Sequence, residues 1–153
     1  MTALELKVPP VVLVAIVAVG MWVLSRIAPG FPIAIPAVGW LASGVALTGM
    51  AIAAHGVSAF RKAGTTVDPR VPGQSESLVV SGVYRYSRNP MYLGFLLVLC
   101  AWGLWLGNLP GLLFLPAFVL YMNRFQIVPE ERFMRDKFGP TYATYCAKVR
   151  RWI

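Results

Sequence analysis

Two clusters of residues carry the types needed for chemistry. The first is Gly82-Val-Tyr-Arg-Tyr-Ser-Arg-Asn-Pro-Met-Tyr-Leu-Gly94; the second is Pro129-Glu-Glu-Arg-Phe, followed by Phe138-Gly-Pro-Thr-Tyr142 and Tyr145. An arginine such as Arg88 can hold an anionic group through charge-assisted bonds, and Arg85, Arg88, Glu130 and Glu131 can meet at the membrane interface. Tyr84, Tyr86, Tyr92, Tyr142 and Tyr145 would stand around them. Arg124 interrupts an apolar stretch, and could either snorkel to the interface or hold an anionic group. The residues alone leave a structural alternative open: Arg85 and Arg88 as membrane anchors paired with Glu130 and Glu131, the tyrosines as interfacial aromatics, and Pro90 as a good residue to start a helix.

The elements that must position these groups are apolar. Of 153 residues, 58% are hydrophobic and only 13% charged, with a mean hydropathy of +0.65, against about 25% charged in soluble domains. The fold class this implies is an all-α integral membrane protein, a single domain over residues 1–153 with four transmembrane helices at about 9–28, 33–54, 91–107 and 111–128. The first run, preceded by Lys7, could pass for a signal peptide, but a second span follows it at once and it is read as retained. Gly39/Ser43 and Gly49/Ala53 have the spacing that lets membrane helices approach closely. The third run is short, and ends near Trp102 and Trp105 as part of an aromatic belt. The turn Asn108-Leu-Pro-Gly111 folds it against the fourth as a helical hairpin.

Between the second and third spans lies a polar loop, residues 55–90, with Asp68, Arg70, Glu76 and several Pro and Gly breakers, and a short extended piece at Leu78–Val80. Loops this long are uncommon without a function. After Pro129 a tail over residues 129–153 is expected as two helices broken at Gly139-Pro140, the second carrying Tyr142, Tyr145, Cys146 and Val149 on one stripe and lying on the membrane surface beside Arg150, Arg151 and Trp152. The net charge of +8 sits in these segments and not along one amphipathic face, which points to topology and anionic lipid, not to nucleic acid. With the N-terminus inside, Lys7, five basic loop residues and seven from Arg124 onward face the cytoplasm, and only Arg26 lies outside. Loop and tail then meet on one face, with both termini cytoplasmic. His55 is read as interfacial. Cys100 and Cys146 should lie at different depths without a disulfide, and no metal-ligand spacing is present.

The series Gly-x-Tyr-x-x-x-Arg-Asn-Pro-Met-Tyr-x-Gly, then Glu-Glu, then Phe-Gly-x-x-Tyr-x-x-Tyr, resembles the isoprenylcysteine carboxyl methyltransferase and phospholipid methyltransferase superfamily from about Thr65 to Trp152. The resemblance implies an enzyme in which S-adenosylmethionine lies at the cytoplasmic ends of the last membrane helices, roofed by the C-terminal helices. It implies a cofactor pocket of Arg88, Asn89, Pro90 and Tyr92 with Glu130 and Glu131, joined by Tyr84, Tyr142 and Tyr145. Asn89 departs from the histidine usual in prenylcysteine enzymes; it can hydrogen-bond but cannot titrate as a base. Arg88 or Arg124 is expected to act catalytically by orienting the substrate.

The expected partner is a lipophilic substrate entering from the bilayer, with membrane lipids around the protein and a homodimer able to complete the substrate tunnel. The expected location is a bacterial inner membrane. Two other functions compete: an NADPH-dependent reductase of the membrane steroid-reductase type, and a non-enzymatic membrane subunit. Paired glutamates favour the cationic cofactor over NADPH.

Overall fold

In the computed structural model, residues 4–28, 36–64 and 77–153 are described here. Among them every regular element is helical: α1 (Pro10–Ile27), α2 (Val38–Lys62), a 3-10 turn (Gly82–Arg85), α3 (Pro90–Leu106), a second 3-10 turn (Leu109–Leu113), α4 (Phe114–Tyr121), a π turn (Met122–Ile127) and α5 (Val128–Lys148). Three stretches are long and apolar enough to cross a membrane, and α3, with 17 residues, is a shorter fourth. The exposed surfaces of the helices carry Val11, Ile16, Trp40, Leu47 and Leu120. Large side chains left in the open are costly in water and suited to lipid, so the chain is an integral membrane protein.

Helix α3 is central. Its most extensive partner is α2, and the two meet where side chains are missing. A Cβ added at Gly94 would lie 2.5 Å from the Gly49 carbonyl oxygen and 2.9 Å from Ala53 Cβ. One added at Gly49 would lie 2.7 Å from the Gly94 carbonyl oxygen. The small-residue spacing of Gly49 and Ala53 therefore marks a contact between backbones. On its other side α3 packs against α1 and α4 around Met21, Leu99, Phe118 and Met122, all almost fully buried. Gly107, at φ 60°, ends α3 in the left-handed region that favours glycine. Asn108 then fastens the turn, accepting from the Gly111 N–H at 3.0 Å and donating to the Ala28 carbonyl at 2.9 Å.

Three boundaries differ from the sequence reading. Helix α2 continues past Ala54, through Gly56, to Lys62, and ends just before Gly64 (φ 65°). The fourth span is not a uniform helix over 111–128: it begins as a 3-10 turn, passes through α4 and widens into the π turn. Nor does the helix stop at Pro129, which occupies the first turn of α5, where its missing N–H is tolerated. The tail is therefore continuous with the span as far as Gly139, whose φ of 48° and ψ of −124° kink α5 at Gly139-Pro140. Residues Leu78–Val80 adopt no regular structure. The expectations for Asp68, Arg70 and Glu76, and for the start of the second span at 33–35, fall outside the described residues.

Candidate active site

The site forms where the N-terminus of α3 meets α5. Pro90 sets the first turn of α3, with Arg88 and Asn89 just before it and Tyr92 within its opening turn. The 3-10 turn, entered through Gly82 at φ 62°, contributes Tyr84. Helix α5 brings Glu130 and Glu131 in its first turn, and beyond the kink it brings Tyr142 and Tyr145. Tyr84, Arg88, Asn89, Tyr92, Glu130, Glu131, Tyr142 and Tyr145 line one cavity of about 90 Å3, together with Phe60 and Met134. Pro90 is fully buried beneath it and does not line it. Arg124 lies outside it on an exposed face, with its guanidinium 5.8 Å from the Phe125 ring centre.

The two glutamates have opposite environments. Glu130 Oε1 accepts from Tyr92 Oη and from Gln126 Nε2, each at 2.6 Å. Protein surrounds this carboxylate, and the desolvation pushes its pKa up to about 7 despite those bonds. Burial also acts to raise the Glu131 pKa, but the hydrogen bonds and charges of Arg151 and Arg88 outweigh it and hold Glu131 below the ordinary carboxylate value. Arg151 reaches Glu131 through Nε at 3.0 Å and Nη2 at 2.7 Å, and Arg88 Nη2 reaches it at 2.9 Å. Burial raises the phenol pKa values of Tyr84 and Tyr142 well above normal, and pushes that of Tyr145 to about 12, so these hydroxyls stay neutral near pH 7.

A strap formed by residues 149–153 closes one side. The Arg88 N–H donates to the Arg150 carbonyl at 3.0 Å, Asn89 Nδ2 donates to the Arg151 carbonyl at 3.0 Å, and Arg88 Nη1 reaches the Cys146 and Val149 carbonyls. Trp152 Nε1 donates to Asn123 Oδ1 at 3.1 Å, and Tyr145 Oη donates to the Tyr84 carbonyl at 2.7 Å. This segment is clamped to the motif before α3 through its backbone and through Arg151. Two buried polar atoms have no hydrogen-bond partner here: Tyr84 Oη and Arg88 Nε.

Sequence reasoning missed Gln126, Arg151 and Phe60. Gln126 stands four residues before Glu130, a spacing that puts both on one helical face. Arg151 looked like one more lipid-facing cation, and nothing in its neighbours marks it as a partner of Glu131. Phe60, edge-on to Tyr84 with ring centres 5.3 Å apart, lies in what reads as loop.

A helical membrane protein with carboxylates, arginines and tyrosines gathered at one end of its spans fits the class of membrane-embedded transferases. The phospholipid methyltransferase family matches residues 37–141, more than half of the sequence, and the chain belongs to that family, within the superfamily that also includes the isoprenylcysteine carboxyl methyltransferases. It is also 51% identical over 63 residues to an "Uncharacterized protein" of Haemophilus influenzae (strain ATCC 51907 / DSM 11121 / KW20 / Rd), a match covering 41% of this chain and 100% of that relative. No solved structure matches. The family is one of membrane methyltransferases, and all the cavity-lining residues named above lie within the matched range except Tyr142 and Tyr145.

Proposed function

We propose that the protein transfers the methyl group of S-adenosylmethionine to a lipophilic acceptor that reaches the cytoplasmic interface sideways from the bilayer. The observation that supports this most is the meeting of Arg88, Glu130, Glu131 and four tyrosines around one cavity at the end of α3. The donor set suits the cofactor. Glu130 and Glu131 would take its ammonium or ribose hydroxyls, Arg88 its carboxylate, and Tyr84, Tyr142 and Tyr145 would flank adenine. The unpartnered Tyr84 Oη and Arg88 Nε have bonding capacity to offer. At about 90 Å3 the cavity is well below the roughly 300–1,000 Å3 of ligand pockets. Binding therefore requires the strap and the tyrosines to part.

When bound, S-adenosylmethionine supplies a methyl group already activated on a sulfonium. What remains for the chain is to align the acceptor and exclude water. A carboxylate acceptor needs no general base, whereas an amine must first lose its proton. Arg124, outside the cavity, is the residue assigned to an acceptor's anionic group. The same reading places the protein in a bacterial inner membrane with both ends of the chain cytoplasmic.

Calorimetric titration of the detergent-solubilised full chain with S-adenosylhomocysteine tests this. Binding should strengthen as pH rises through about 7, where Glu130 ionises. In Glu130→Gln it should weaken roughly tenfold or more, as expected for a lost charged hydrogen bond, and lose that pH dependence. No binding by folded protein, or unchanged affinity and pH dependence in the variant, would end this reading. Binding of NADPH alone would move it to a reductase.

A further inference from the structure

Neighbouring residues of the first 3-10 turn point into two different cavities. Tyr84 lines the site above, while Val83 and Arg85 line a second cavity of about 630 Å3. The end of α2 divides in the same way, with Phe60 turned to the first cavity and Ala59 and Lys62 to the second. The second volume falls within the range typical of ligand pockets. His55, Ser58 and Lys62 enter it from one face of α2, and Ser81, Arg85 and Tyr86 from the turn.

The cations here differ from those around the site. Arg88 and Arg151 are paired with Glu131, and Arg132 lies 3.8 Å from Glu5. Among the described residues, Lys62 and Arg85 have no acidic partner, and no acidic side chain lines this cavity. The C-terminal end of α2 itself repels an anion, so an anionic ligand would depend on these two cations to overcome it. Arginine can grip a phosphate bidentately and lysine adds a point charge, with serine hydroxyls and an imidazole as further hydrogen-bonding groups.

Leu47, Ala51 and Ala54 are exposed on the same face of α2 as Ser58 and Lys62, and lead down to the cavity from the membrane span. An apolar track ending in a hollow whose described lining is basic and lacks acidic side chains matches an amphiphile with a hydrocarbon tail and an anionic head. We propose that this cavity binds the phosphate of an anionic membrane lipid through Lys62 and Arg85, its acyl chain lying along Leu47 and Ala51. This lipid is a resident ligand distinct from the methyl acceptor. The Phe60–Tyr84 pair stands between its headgroup and Glu130, and the assignment does not depend on the methyl-transfer reading.

The test titrates the full chain in neutral detergent with short-chain phosphatidylglycerol, with phosphatidylcholine of the same chain length, and with inorganic phosphate. Saturable binding of phosphatidylglycerol is expected, with the other two much weaker. The variant Lys62→Gln/Arg85→Gln should lose roughly thirtyfold in affinity, since each cation at an anionic surface contributes a factor of about five. Lys7→Gln, which removes an exposed cation elsewhere, should bind as the parent does. Lys62→Arg, which keeps the charge, should retain binding, and thermal unfolding verifies that each variant is folded. Equal affinity in the double variant, or no saturable binding by the parent, overturns the proposal. Inorganic phosphate binding as tightly as the lipid overturns the lipid assignment and leaves a soluble-anion site.

Discussion

The α2–α3 contact and the cap over the N-terminus of α3 are both tightly closed, by opposite means. Between α2 and α3 nothing polar is shared; closeness comes from the missing side chains of Gly49 and Gly94, which let carbonyl oxygens approach the facing helix. In lipid there is no hydrophobic drive to bring two apolar helices together, so packing must supply the attraction. In the cap, residues 87–92, 126–131 and 142–152 are joined by hydrogen bonds and by the Arg88–Glu131–Arg151 cluster. The apolar half cannot rearrange without losing its fit. The polar half is held by bonds that can exchange one partner for another.

Replacing Gly94 with leucine should have the largest effect. The added side chain would collide with backbone and not with a flexible tip, so we expect a loss of more than about 3 kcal/mol and helix separation, seen as a collapsed unfolding midpoint in detergent. If Gly94→Leu unfolds like the parent, the contact between backbones is not what holds α2 to α3. Next comes Glu131→Ala, which strands two guanidinium groups at a partly buried position. The expected cost is about 2–3 kcal/mol, with faster proteolysis after Lys148 as the strap loosens. An unchanged cleavage rate would mean that the backbone bonds of the strap suffice without the ion cluster.

The smallest effect is a slope. Because the folded pKa of Glu130 is raised, the folded protein binds more protons than the unfolded chain between the ordinary carboxylate value of 4.5 and about 7. Stability should fall as pH rises through that window, by about 3 kcal/mol. Glu130→Gln should flatten this slope in pH-dependent thermal unfolding. Glu131, held below its ordinary value, contributes stability that is lost only at lower pH. If the slope survives in Glu130→Gln, another group carries it.

Much of this was legible in the sequence, for identifiable reasons. Lipid-spanning helices announce themselves by composition, and Gly49 and Ala53 by their spacing, because both follow from local rules. The gathering of Arg88 and Glu131 could be anticipated from a hairpin that returns the chain to one face. The π turn was not legible: nothing in the sequence Met122–Ile127 marks a change of helical register. Asn89 reads as a ligand-binding residue, yet its amide is engaged with the Arg151 carbonyl, a contact spanning 62 positions that no local pattern encodes. Arg151 shows the general difficulty, since one cation among seven near the C-terminal end carries no mark of which carboxylate it will meet.

The strap has a consequence for how the protein is made. The hydrogen bonds that the strap and Cys146, just before it, make to Ser87, Arg88 and Asn89 join residues 58–64 positions apart. During synthesis, Arg88 and Asn89 are made well before residues 146–151 exist. Until those residues are added, the motif lacks its protein partners. Completion of the cap is thus a late event, which must wait for the C-terminal residues whatever the order in which the helices enter the membrane.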